Sequence, residues 1–177
     1  MRRRFFSNKT GEKIDLSKNY FVIEALEDRL TAKLSANACE YCIDDGTWIT
    51  LPPNTNTVYI NSGQTLSFRS NLVSESDEKN GIGTFIISKT CNIKGNIMSL
   101  LHGDDFEEQN DLTNKNYAFH RLFNNCTNIV DASELILPAT TLSIGCYCYM
   151  FYGCSNLKNT PQLPATTLAP FCYAKMF

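Results

Sequence analysis

The chain has 177 residues, of which 43% are hydrophobic and 11% aromatic, enough apolar material to pack one or two domains and too much for global disorder. A formal net charge of −2 gives no electrostatic basis for binding nucleic acid. No run approaches the ~18 apolar residues of a transmembrane helix, and Phe5-Phe6 gives way at once to Ser7-Asn8-Lys9, so the apolar stretch of a secretory signal is missing. The sequence therefore predicts no membrane insertion, and a chain that stays where it is made or leaves by lysis or as part of a particle.

Residues 1–18 read as an N-terminal tail, with Arg2-Arg3-Arg4 as a solvated basic cluster. From 19 to 102 short runs of Val, Ile, Phe, Tyr and Thr alternate with turn residues, the pattern of an antiparallel β-domain. Strands are expected near Tyr20–Leu26, Leu30–Ser35, Cys39–Ile43, Thr47–Leu51, Thr57–Ile60, Gln64–Arg69, Gly83–Ser88, Cys91–Lys94 and Ile97–Leu100. Asp45-Gly46 predicts a two-residue hairpin tip of type I′, pairing Ile43 with Trp48 and Tyr41 with Thr50. Tyr41, Ile43 and Trp48 then share one face and seed a core. Strands of this number and spacing predict a β-sandwich of immunoglobulin or jelly-roll type.

Residues 103–115 run acidic and polar and read as a solvated linker. A short helical turn is expected around Asn116–Phe123. Beyond it the sequence repeats. Leu137-Pro-Ala-Thr-Thr-Leu142 recurs unchanged as Leu163-Pro-Ala-Thr-Thr-Leu168, 26 residues on. Cys146-Tyr-Cys-Tyr-Met-Phe151 aligns with Cys172-Tyr-Ala-Lys-Met-Phe177, and Ala118-Phe-His-Arg-Leu-Phe123 fits the same frame. One column is always small (Ala118, Cys146, Cys172), the next always aromatic (Phe119, Tyr147, Tyr173), and another always Phe (Phe123, Phe151, Phe177). Stacked coils place equivalent side chains in ladders, so residues 116–177 predict about two and a half units of a solenoid with its C-terminal end open. A chain stopping at Phe177, inside its own core motif, is expected to be a piece of a longer array or to be covered there by a partner.

Eight cysteines suggest a disulfide framework only in a secreted chain; without a signal, reduced thiols are expected. Cys126 and Cys154 fall in one repeat column, as small buried hydrophobes do. Cys39-Glu-Tyr-Cys42 is a single CxxC, and in a strand its thiols point to opposite faces, so no metal is assigned there. The acids Asp104, Asp105, Glu107, Glu108 and Asp111 lack the spacing of a calcium loop. His102 and His120 belong to no catalytic constellation, and Gly81-Ile-Gly83 lacks the rest of a nucleotide loop. Tyr149 and Tyr152 flank the core Met150-Phe151 and are the candidate ligand-binding residues, since exposed Tyr serves protein and sugar contacts alike. From Leu135 to Phe177 the only charged residues are Lys158 and Lys175, so this surface is expected to bind by hydrogen bonding and ring stacking, not by charge.

Leu137-Pro138, Ile144-Gly145, Met150-Phe151 and Cys154-Ser-Asn-Leu157 together resemble the BspA-like class of leucine-rich repeats, with Met150 replacing the usual Ala and Pro170-Phe171 standing where the third copy would have Ile-Gly. The resemblance covers residues 116–177. It implies a curved solenoid with one short strand per coil, in proteins of bacterial and protozoan surfaces engaged in adhesion and protein binding. Ala25 to Ser35 followed by Glu40 to Trp48 resembles the head of uncharacterised repeat proteins of gut anaerobes and their phages, which implies no catalytic residues. The expectation is thus a mainly β chain: an N-terminal antiparallel β-sandwich followed by a short leucine-rich-repeat-like solenoid. Its expected role is non-enzymatic binding or adhesion towards a protein or glycan, at a cell surface or on a phage particle, with no cofactor. The alternative is a structural component of a phage particle, such as a tail or fibre accessory, forming a homo-oligomer.

Overall fold

The computed structural model describes residues 15–70 and 81–177; most of the expected N-terminal tail, Arg2 to Arg4 included, lies outside them. The chain is mainly β. Among the described residues eight strands form: β1 Phe21–Ala25, β2 Ala32–Leu34, β3 Cys39–Ile43, β4 Ile49–Leu51, β5 Thr65–Arg69, β6 Phe85–Ile87, β7 Cys91–Asn96 and β8 Ile129–Ile136, with one short α-helix, α1, at Ser99–His102. A mixed six-stranded sheet has the order β4-β3-β5-β1-β7-β8, and β2 pairs with β6 in a second sheet of two strands. All pairings are antiparallel except β7 with β8.

The β3–β4 hairpin forms, with a register one residue from that expected. Tyr41 faces Ile49 and Glu40 faces Thr50. Asp44 and Asp45, not Asp45 and Gly46, take the two positive φ angles (43° and 62°), and the Gly46 N–H closes the turn on the Ile43 carbonyl at 2.8 Å. Asp tolerates the left-handed region well enough for the pair to occupy it. The Asp44 carboxylate then accepts from the Thr65 N–H and hydroxyl and from the Gln64 amide, which ties the turn to β5.

Two expected strands are not strands. Thr57–Ile60 touches Leu30–Ala32 only irregularly, through an isolated Leu30–Ile60 bridge and a Thr57 N–H to Ala32 carbonyl bond. Ile97–Leu100 turns into α1 instead. Ser99 is needed there to plug the end of the sheet: its hydroxyl accepts from the Phe21 N–H and donates to the Phe68 carbonyl, both at 2.9 Å. The Asn96 side chain caps the turn at the Met98 N–H.

The expected helical turn at Asn116–Phe123 is a run of overlapping β-turns. Every fourth residue has positive φ: Tyr117, Arg121 and Asn125, then Gly145, Tyr149 and Gly153, then Phe171 and Lys175. A left-handed residue every four positions is incompatible with a helix. Backbone donors alternate. The N–H groups of His120, Leu122, Cys148 and Met150 bond three residues back, while those of Phe119, Arg121 and Phe123 bond forward to the carbonyls of Cys146, Cys148 and Met150 in the next copy. The second copy does the same: Tyr147, Tyr149 and Phe151 donate to Cys172, Ala174 and Met176. Each copy thus lies directly on its neighbour, with Phe119, Tyr147 and Tyr173 stacked at 5.6 and 5.7 Å and Phe123, Phe151 and Phe177 at 5.2 and 5.6 Å.

The stack does not begin at the repeat. Phe85 of β6 lies on Phe123 at 5.9 Å with the rings nearly parallel, and Ile82 and Phe85 donate to the carbonyls of Ala118 and Leu122. β7 then runs parallel to β8. The stretch 103–115, expected as a solvated linker, buries Phe106 and Leu112 completely and bridges Asp111 to Thr141, which is itself bridged to Thr167. One hydrophobic core runs from Phe21, Ile23 and Phe68 through Phe85 and Phe123 to Phe151.

Candidate functional site

The turn geometry sets what the repeat displays. Arg121, Tyr149 and Lys175 occupy one column, each at a left-handed position (φ 57°, 57° and 48°). The Arg121 guanidinium lies 5.3 Å from the centre of the Tyr149 ring and the Lys175 ammonium 5.6 Å from it. One cation comes from the preceding copy of the repeated segment and one from the following copy, both within cation–π range. Tyr152 meets the Tyr149 ring edge-on at 5.4 Å and His120 does so at 6.0 Å. Of the two tyrosines singled out from sequence, Tyr149 is therefore held between cations, whereas Tyr152 is 45% exposed. Arg121 and Lys175 were not singled out, although the alignment that pairs Tyr147 with Tyr173 also puts them in register with Tyr149.

A second cluster closes one end of the six-stranded sheet. Arg69 on β5 bonds Glu40 of β3 at 2.7 Å and Asp104 at 2.8 Å, and its guanidinium lies 4.2 Å over the Trp48 ring. Tyr20 meets Trp48 edge-on and donates to Asp104 at 2.6 Å. A cleft of about 310 Å³ opens beside it, lined by Glu40, Thr50, Arg69, Ser70 and Asp104 among others. Nothing in the local sequence brings Trp48, Arg69 and Asp104 together; only the strand order does.

The remaining reactive side chains are placed for packing. All eight cysteines are free and buried. Cys39 and Cys42 lie on opposite faces of β3, Cys39 in the core and Cys42 outside it, opposite Ser67. Burial pushes the Cys39 thiol up to about 12 and that of Cys42 up to about 11; both stay protonated and unreactive at neutral pH. His102 is held below the usual imidazole range, first by burial and then by Lys115. Asp131 ionises more readily than a free carboxyl: burial opposes this, but the Ser133 hydroxyl and N–H and the Asn159 amide all donate to it. Among the described residues no group of three or more His, Cys, Asp or Glu side chains converges to hold a metal ion, and no helix is long and apolar enough to cross a membrane.

No protein-family model, curated protein or solved structure matches the chain.

Proposed function

We propose that this chain is a non-enzymatic binding module in which a β-sandwich head carries a short, BspA-like solenoid, and that the solenoid presents its surface to a protein or glycan. In this reading strands β1 to β7 make the head, and Phe85 with β7 starts the stack on which β8 and the repeats continue. The observation that supports it most is the ladder itself. Backbone bonds at alternate residues and stacked rings fix each coil against the next, so outward side chains such as Tyr149 and Tyr152 are held at regular stations. Preorganised aromatic stations favour binding because little side-chain entropy is lost on contact. The test is a screen of the labelled chain against immobilised glycans and surface-protein fractions, followed by Tyr152→Ser. Saturable binding that the substitution weakens, with an unchanged circular dichroism spectrum, is the expected result. Absence of saturable binding, or binding indifferent to the substitution and to all others on this face, would overturn the reading.

A second reading is assembly into a phage particle as a tail or fibre accessory, which requires a homo-oligomer. Light scattering on the purified chain checks this reading: a defined trimer or ring is expected from a fibre component, and a monomer at all concentrations would remove it.

A further inference from the structure

We infer that the face carrying Arg121, Tyr149, Tyr152 and Lys175 binds an anionic polysaccharide, with its acidic groups seated on Arg121 and Lys175 and a sugar ring against Tyr152. The inference rests on the binding reading above and gives it a ligand class.

Charge is the first argument. Among the described residues neither Arg121 nor Lys175 has an ion-pair partner, in contrast to Arg69 and Lys94. The only acids between 116 and 177 are Asp131 and Glu134. Both are on β8, where Asp131 is occupied by Ser133 and Asn159 and Glu134 lies opposite Lys94 in register. Among the described residues the two cations therefore keep their charge available, on a surface whose other polar side chains are mainly Thr, Ser, Asn and Tyr, with His120 beside Tyr149.

Spacing is the second argument. Coils joined by backbone hydrogen bonds lie about 4.8 Å apart, so cations two coils apart are separated by about 10 Å along the stack. The Tyr149 ring between them holds both at fixed stations. An extended peptide returns to the same face every two residues, about 6.6 Å, which does not match that step. A linear polysaccharide with one carboxylate per disaccharide places its charges farther apart and offers apolar sugar faces between them. Tyr152, 45% exposed and edge-on to Tyr149, stands where such a face would lie. Sugar hydroxyls then find the uncharged hydrogen-bonding groups of the surrounding coils.

The experiment measures binding of the full chain to hyaluronan oligosaccharides, which carry one carboxylate per disaccharide, with neutral dextran and a polyglutamate peptide as comparators. Hyaluronan is expected to bind at low salt, to weaken as salt rises, and to exceed both comparators. The double variant Arg121→Gln, Lys175→Gln is expected to lose about tenfold or more in affinity, as charge-assisted contacts require, while Lys158→Gln, a charge removed elsewhere on the repeat, changes little. Equal binding of polyglutamate, or an equal loss in Lys158→Gln, overturns the inference by showing generic charge attraction. Binding of dextran with indifference to the double variant overturns it too, yet leaves the chain a glycan-binding module. Loss of every kind of ligand would count against the proposed function as well. Thermal melts of each variant separate a lost contact from a lost fold.

Discussion

Tyr147 is fully buried between the rings of Phe119 and Tyr173, and among the described residues its hydroxyl finds no hydrogen-bond partner. A buried hydroxyl without a partner forfeits its hydration with nothing in return. The same column already accepts Phe at position 119, so the space tolerates a ring without oxygen. Tyr147→Phe is therefore expected to leave stability unchanged or to raise it by up to about 1 kcal/mol, because deleting an unsatisfied group removes a cost and opens no cavity. Urea unfolding midpoints of the two proteins decide it. A loss of more than about 1 kcal/mol would show that the hydroxyl is bound, as by an internal water, and that its removal strands a partner. The tyrosine was legible in the sequence as a core column because its neighbours at the same offset are Phe119 and Tyr173. The cation pair around Tyr149 was legible in the same alignment. The Trp48–Arg69–Asp104 cluster was not, since it depends on β3, β4 and β5 lying side by side.

Elements differ in how openly the sequence announces them. β1, β3 and β5 carry runs of β-branched and aromatic residues between turn signals, and they form where those runs stand. β8 was not anticipated, and its burial shows why. Ile129, Ala132 and Leu135 are the buried positions, a spacing of three that matches no strand alternation, because two register irregularities interrupt its pairing with β7. Similarly, Ile97–Leu100 has the apolar run of a strand, and periodicity over so short a segment does not separate strand from helix. Gly95 is the residue that lets β7 serve both neighbours. Its φ is +79°, and a Cβ there would stand 1.9 Å from the Tyr20 carbonyl oxygen, a backbone atom with no freedom to withdraw. Gly95→Ala is expected to destabilise the protein by well over about 1 kcal/mol, since neither the left-handed φ nor the close approach accepts a methyl group. The comparison is Gly63→Ala, where φ is +84° but nothing lies within 4 Å. If the two variants melt together, the crowding at Tyr20 carries no weight and strain alone accounts for both.

At the scale of the whole molecule, the question is whether head and repeat unfold as one. The sequence changes texture near residue 103 and invites a boundary there, yet the aromatic stack passes from Phe68 and Phe21 to Phe85 and on to Phe123 and Phe151, and β7 of the expected head pairs with β8 of the expected repeat. In stacked repeats stability is shared mainly between neighbours, so a lesion decays with distance unless the interfaces are strong. Here the interface between Phe85 and Phe123 is as fully buried as any in the core, which favours a single cooperative unit. Phe151→Ala, two ladder steps from Phe85, is expected to cost about 3–5 kcal/mol, the usual penalty for emptying a buried aromatic site. The chain has one tryptophan, and Trp48 lies in the head against Tyr20 and Arg69. Its fluorescence therefore reports the head alone, while far-ultraviolet circular dichroism reports all strands. If the two regions are one unit, Phe151→Ala lowers the urea midpoint seen by Trp48 as much as that seen by circular dichroism, and the two curves coincide. If the Trp48 transition stays at its wild-type midpoint while the dichroism signal splits, the β7–β8 pairing and the Phe85 contact are too weak to couple the regions, and the head stands as a domain of its own.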